Sequence, residues 1–225
     1  MTKPTLLART YYRRHLPHFH PPNGTFFVTF RLKGTLPRFV AEDLRKSRAE
    51  RRKQQTCRRL PNGTSHAKEW NSLHPFEKFD SMLDVYSEGP HWLKEPEVAR
   101  VVADAIHFRD GLRYDLVAYC IMPNHVHLVF SLEGRPESST DGVARILENL
   151  KWYTALKCNQ VLGRRGAFWQ DESYDRVIPD GKALEGVLRY VLNNPVKAGL
   201  VQSWTDWPWS YCKHEVDETR RPTPK

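Results

Sequence analysis

Between residues 112 and 131 the chain carries the pattern that limits its fold most. Two runs of strand-forming residues, Leu112 to Met122 and His125 to Ser131, are joined by only Pro123 and Asn124. So short a link permits an antiparallel hairpin and little else, because parallel neighbours need a crossover of a dozen residues or more. Side chains alternate along a strand, so His125, His127 and Val129 share one face and Val126, Leu128 and Phe130 share the other. The two imidazoles therefore project side by side.

The flanking sequence supplies what the hairpin packs against. Thr25 to Leu32 alternates Phe26, Val28, Phe30 and Leu32 with Thr25, Phe27, Thr29 and Arg31, which predicts a strand with one buried face and with Phe27 and Arg31 on its polar side. After Pro96, the spacing of Val98, Val101, Val102, Ala105 and Ile106 predicts a helix that Gly111 stops. Thr140 or Asp141 is a candidate cap for a long helix reaching about Val161, and Asp180 caps another, Gly181 to Asn194, which Pro195 ends. Strands joined as hairpins and interleaved with helices predict an α+β sandwich on an antiparallel sheet. At 225 residues the chain suits one domain, 1–225, with 41–95 as a basic, partly helical insertion and 212–225 as a flexible tail.

Charge points to the partner. The net charge is +9, and residues 1–70 hold 16 Lys and Arg against 4 Asp and Glu. Between Arg45 and Arg59, eight basic residues surround the single acid Glu50. Each cation placed on a phosphate releases condensed counterions, so such a balance favours nucleic acid. Arg13, Arg14, Lys197 and the cluster containing Arg45, Arg48, Arg51 and Arg52 are electrostatic candidates, while Arg31 and Phe27 offer a phosphate contact and a stacking surface. No apolar run approaches the ~20 residues of a membrane span and no secretory leader is evident, so a cytoplasmic protein, nucleoid-associated when on DNA, is expected. Cys57, Cys120, Cys158 and Cys212 form no ligand-spaced cluster and are expected as reduced thiols.

Paired imidazoles on one strand face suit a divalent metal. A second His-x-His pair, His18 and His20, lies between prolines and reads as an extended loop. Tyr190 and Asn194 lie one turn apart on the last clear helix, whose apolar stripe is Leu184, Val187, Leu188 and Val191. Tyr190 falls about 60° from Val187, at the margin of the buried face, from which its phenol can reach a site laid on the sheet. Tyr153, flanked by Asn149 and Lys157, is a rival nucleophile, whereas Tyr119 and Tyr174 read as packing.

The run Ala118-Tyr119-Cys120-Ile121-Met122-Pro123-Asn124-His125-Val126-His127-Leu128-Val129-Phe130 and the later run Tyr190-Val191-Leu192-Asn193-Asn194-Pro195-Val196-Lys197-Ala198-Gly199-Leu200 together resemble the REP-associated tyrosine transposases of the HUH endonuclease superfamily. Further likeness lies in Leu16 to Leu36, in Phe168-Trp169-Gln170, in Tyr174 to Ile178 and in Trp207 to Tyr211. The basic segment around 45–95 matches no motif of that family. The resemblance implies a ferredoxin-like or RRM-like antiparallel sheet and a divalent metal, Mg or Mn, on His125, His127 and Asn194. It also implies Tyr190 as the nucleophile that forms a 5′-phosphotyrosine on single-stranded DNA beside hairpin-forming repeats, no nucleotide cofactor, and a monomer or homodimer. Two other readings remain open. One is a catalytically silent, domesticated nucleic-acid-binding protein on the same fold; the other is a metal-dependent phosphoesterase that uses water, which would bring Asp or Glu ligands near the histidines.

Overall fold

The computed structural model describes residues 23–35, 89–134 and 142–213, together with the backbone of 11–13 and 17–19. Short strands β1 (Tyr11–Arg13) and β2 (Pro17–Phe19) pair with each other as an antiparallel ribbon. The main elements are β3 (Thr25–Arg31), α1 (Pro96–Arg109), β4 (Asp115–Ile121), β5 (His125–Ser131), α2 (Val143–Val161), β6 (Tyr174–Ile178), α3 (Gly181–Leu192), the one-turn α4 (Asn194–Lys197) and β7 (Ser210–Cys212). The sheet order is β6-β3-β5-β4-β7, and every pairing is antiparallel. The succession β3-α1-β4-β5-α2-β6 with that order is a split βαβ, ferredoxin-like arrangement extended by β7 at the β4 edge.

The hairpin closes as its sequence requires. Met122 donates its backbone N–H to the His125 carbonyl at 2.8 Å, and Leu93 and Leu32 donate to the carbonyls of Pro123 and Asn124, fixing the turn from both sides. The first strand of the hairpin begins at Asp115, since Leu112 and Arg113 both donate N–H to the Arg109 carbonyl in the turn after α1.

The expectation of one buried face on β3 is corrected: it is buried on both, as is β5. Helices α1 and α2 cover one side, packing Val98, Val102, Ile106, Ile146 and Leu150 against Phe26, Val28, Phe30, Val126, Leu128 and Phe130. Helix α3 covers the other, placing Val187, Leu188, Tyr190 and Val191 on Phe27, Ala118, Cys120, Met122 and Val129. A sheet between two helical layers needs apolar residues at odd and even positions alike, and that is why Phe27 and Val129 sit where simple alternation predicts polar contact.

Helix α3 starts at Asp180, whose carboxylate oxygen accepts the Ala183 N–H at 2.8 Å. Substituting Asp180→Ala is expected to cost about 1 kcal/mol, read as a lowered midpoint in urea unfolding with an unchanged slope. Pro195 does not end the helical path. Asn193 stays in the right-handed region and Lys197 and Ala198 continue the i to i−4 bonds, so α4 follows α3 directly. At α2 the N-cap position is taken by Gly142, with Thr140 and Asp141 outside the described residues.

The insertion is described only from 89 onward, where it returns to the core. A Cβ on Gly89 would lie 2.6 Å from the Thr35 Cα, so only glycine lets this segment cross the end of β3, and Leu93 beyond it is buried. The expected partly helical insertion lies outside the described residues as far as residue 88. The expected tail begins too early, because Cys212 is in β7 and Lys213 donates its N–H to the Val117 carbonyl.

Candidate active site

Cross-strand register decides which side chains meet. His127 stands opposite Thr29 on β3 and opposite Cys120 on β4, while His125 stands opposite Arg31. Directly opposed residues of an antiparallel pair project to the same face. Both histidines therefore lie on the α3 side, fully enclosed at 0% exposure.

Their hydrogen bonds fix which way the rings point. The Nδ1 of His125 lies 2.6 Å from the Asn124 Oδ1, an acceptor, so that nitrogen carries the proton and Nε2 presents its lone pair. The Nδ1 of His127 lies 2.8 Å from the Thr29 hydroxyl. The two Nε2 atoms converge to 3.0 Å, with ring planes 74° apart.

That convergence has a specific chemical fit. Two imidazole nitrogens at about 2.0–2.1 Å from one ion, separated by a right angle at the ion, stand about 3 Å apart. Tying the remote ring nitrogens to an amide and a hydroxyl is the outer-shell arrangement that orients histidine ligands. The donor set present thus fits a divalent cation. Among the described residues no group of three or more His, Cys, Asp and Glu gathers as a metal site.

Tyr190 is brought to the histidines by α3. Its ring meets His127 at 5.8 Å between centroids and Phe27 at 6.2 Å, both edge to face. At 7% exposure Tyr190 is more enclosed than its marginal helix position predicts, because Phe27 rises from the sheet beneath it. Lys197 places its ammonium 4.7 Å from the centre of the same ring. Asn194 is buried at 2% exposure, and its amide nitrogen donates to the Tyr190 carbonyl at 3.4 Å, leaving Oδ1 as the atom with ligand chemistry. His125, His127, Tyr190 and Lys197 are thus joined by direct contacts, and Asn194 lies one helical turn from Tyr190.

Other sequence candidates separate from this group. Phe27 is 3% exposed and buttresses Tyr190 and His127, which corrects its reading as a surface for stacking bases. Arg31 is half-buried beside His125, its guanidinium donating to the Thr35 hydroxyl at 2.9 Å. Tyr153, the rival nucleophile, is 39% exposed on α2 with the Arg109 guanidinium near its ring, across the sheet from the histidines. Tyr119 packs in the α1 and α2 core as expected, where burial pushes its phenol up to about 12. Arg13 lies in β1, described by its backbone alone, and Arg14, Arg45, Arg48, Arg51 and Arg52 lie outside the described residues.

Two residues that orient the histidines, Thr29 and Asn124, escape a reading of the sequence. Thr29 passes as one polar position in an alternating strand, and Asn124 passes as turn chemistry. The usable signal was that Asn124 is the immediate neighbour of His125.

Comparison with known proteins locates the same segment. Residues 96–194, which run from α1 into α4, match the family described as Transposase IS200 like. A Haemophilus influenzae protein named as a candidate REP-associated tyrosine transposase is 30% identical over 108 residues, 46% of this chain and 61% of the relative. The REP-associated tyrosine transposase of Escherichia coli is 28% identical over 103 residues, 46% of this chain and 57% of the relative. The chain thus spans about three-fifths of the length of the curated relatives it matches. A solved structure of a REP-associated tyrosine transposase bound to a REP hairpin aligns with 88% of this chain and 80% of its own at 19% identity and a TM-score of 0.49.

Proposed function

Because residues 96–194 match the family described as Transposase IS200 like, we propose that the chain cuts and rejoins single-stranded DNA beside hairpin-forming repeats through a covalent phosphotyrosine on Tyr190. The observation that carries this reading is the contact of the Tyr190 ring with His127, whose Nε2 converges with that of His125 at 3.0 Å. A non-catalytic binding protein has no need to bury two convergent imidazoles against a tyrosine.

His125, His127 and the Asn194 Oδ1 would hold the ion, Mg or Mn. When bound it supplies positive charge to the non-bridging oxygens of the scissile phosphate and leaves coordination positions open to them. Tyr190 does the covalent work. Its oxygen bonds to phosphorus as the bond from phosphorus to the 3′ oxygen breaks; the phenolic proton passes to solvent and the 3′ oxygen takes one up. The products are a 5′-phosphotyrosine and a 3′-hydroxyl, and attack by another 3′-hydroxyl reverses the step and joins strands. Retaining the phosphoester bond in the protein is what makes rejoining possible. A phenol is protonated at neutral pH, so orientation by Phe27 and His127 and charge at the phosphate must offset its weak nucleophilicity.

Thr29 and Asn124 hold the ring nitrogens remote from the ion. Thr29→Val keeps the shape of the side chain and removes the oxygen that meets His127, so Mn affinity measured by calorimetry is expected to fall about 10- to 100-fold with the fold retained.

The reading is tested by incubating the protein with end-labelled single strands from the flanks of its own gene, with Mg or Mn, and resolving the products under denaturing conditions. A metal-dependent band that migrates with protein supports it. Cleaved strands with no covalent band would assign the chemistry to water instead, and binding without cleavage in any metal would leave a domesticated binding protein.

A further inference from the structure

Long side chains on a helix lean toward its N-terminus. Lys197 sits at the end of α4, two turns after Tyr190 on a nearly continuous helical path, so its side chain is directed back over the tyrosine. The ammonium accordingly lies 4.7 Å from the centre of the Tyr190 ring. Such a cation–π contact at an exposed position is worth about 0.5–1 kcal/mol, sufficient to bias a flexible side chain toward one place and weak enough to release it.

Other contacts of the ring define what that place is for. Phe27 and His127 meet the ring edge to face from the sheet, whereas Lys197 is exposed and stands over the ring face. Among the described residues the Lys197 ammonium meets this ring and no carboxylate. Phosphorus aligned for attack lies about 3–3.5 Å from the attacking oxygen. Any phosphate so aligned with the Tyr190 oxygen comes within the sweep of the Lys197 side chain.

We propose that Lys197 holds the scissile phosphate, its ammonium resting on the Tyr190 ring in the free protein and moving from the ring to a non-bridging phosphate oxygen when DNA arrives. The role deepens the reading of Tyr190 as nucleophile and rests on it for its catalytic consequence. The contact itself needs only that single-stranded DNA binds with a phosphate at Tyr190. Lysine is suited to this task because its point charge on a flexible stem moves more readily than the planar fork of arginine.

The test is a cycle between one protein charge and one phosphate charge, made in the full chain with Tyr190→Phe so that no strand is cut and the ring remains. Oligonucleotides carrying a neutral methylphosphonate, walked one linkage at a time, are titrated against this protein with Lys197 intact and with Lys197→Met. At one linkage the neutral substitution is expected to weaken binding about tenfold when Lys197 is present and hardly at all when it is Met. In the protein with Tyr190 intact, Lys197→Met is expected to weaken binding of unmodified DNA about tenfold, as the same cycle requires, and to slow formation of the covalent product at saturating DNA about 100-fold, and Lys197→Arg to recover part of the rate.

Equal losses at every linkage with and without Lys197 would overturn the proposal, even if Tyr190 forms its covalent product normally. Coupling at one linkage in a protein that forms no such product would uphold the phosphate contact and overturn the cleavage reading. A chain that binds no single-stranded DNA overturns both.

Discussion

Replacing Tyr190 by phenylalanine is expected to abolish the covalent protein–DNA product, lowering its rate of formation by at least about 1,000-fold, while DNA binding and stability stay nearly unchanged. The substitution removes one oxygen atom and keeps everything else the ring does. Its edge-to-face contacts with His127 at 5.8 Å and Phe27 at 6.2 Å, and the Lys197 ammonium at 4.7 Å, depend on the aromatic ring and not on the hydroxyl. The thermal midpoint should therefore move by only a degree or two, within the range of about 0.5 kcal/mol that benign substitutions span. Two other described tyrosines stand away from the histidines, whereas Tyr174, opposite Thr29 on the α3 side, is the one to compare beside Tyr190. Tyr153 is on the opposite side of the sheet, and burial holds the Tyr119 phenol up at about 12 in the opposite core. A denaturing gel comparing the two proteins on the same labelled strand reads the effect, and an undiminished covalent band would remove Tyr190 from the mechanism.

The second large effect is expected from the histidines. His125→Ala should abolish stabilisation by a divalent cation and slow covalent product formation about 100- to 10,000-fold at a fixed metal concentration. In the unaltered protein, a site that captures Mn is stabilised by about 2.7 kcal/mol when the metal is present at 100 times its dissociation constant, which raises the thermal midpoint by a few degrees. That shift depends on both Nε2 atoms converging at 3.0 Å. Removing one ring also leaves a cavity in a fully enclosed site, so a lowered midpoint without metal is expected as well. The informative quantity is the difference between midpoints with and without Mn, measured by scanning calorimetry for both proteins. A metal-induced shift that survives His125→Ala would place the ion elsewhere.

How legible the site was depended on what kind of contact made it. The histidine pair and its face followed from strand alternation alone, and the sheet around it confirms the hairpin, down to the two-residue link at Pro123 and Asn124. Asp180 was readable as a cap because the signal is local: an acceptor side chain three residues before the N–H it binds. Phe27 was misread because α3 covers the second face of the sheet, and nothing in β3 itself announces a helix that arrives 150 residues later. Burial of Tyr190 has the same origin, since its margin position on α3 becomes enclosed only where Phe27 rises to meet it. The role of Thr29 depends on cross-strand register, a property of two strands that neither sequence carries by itself. Strands β6 and β7 are short and lie at the sheet edges, too brief to assert a period of two against their neighbours. Lys197 reads in the sequence as one electrostatic candidate among several, and its place over the Tyr190 ring required the continued helical path through Asn193.

Arg31 lies beside His125 at the end of β3, where the chain's strongly basic first third leaves the described sheet. No described helix is long and apolar enough to cross a membrane.

The most direct test of the central claim is to isolate the covalent product, digest it with protease and nuclease, and identify by mass spectrometry the residue that keeps the nucleotide. The account predicts a single modified peptide, with a 5′-linked nucleotide on Tyr190. A nucleotide on Tyr153 or on any other residue would contradict it, as would cleaved DNA whose protein carries no modification.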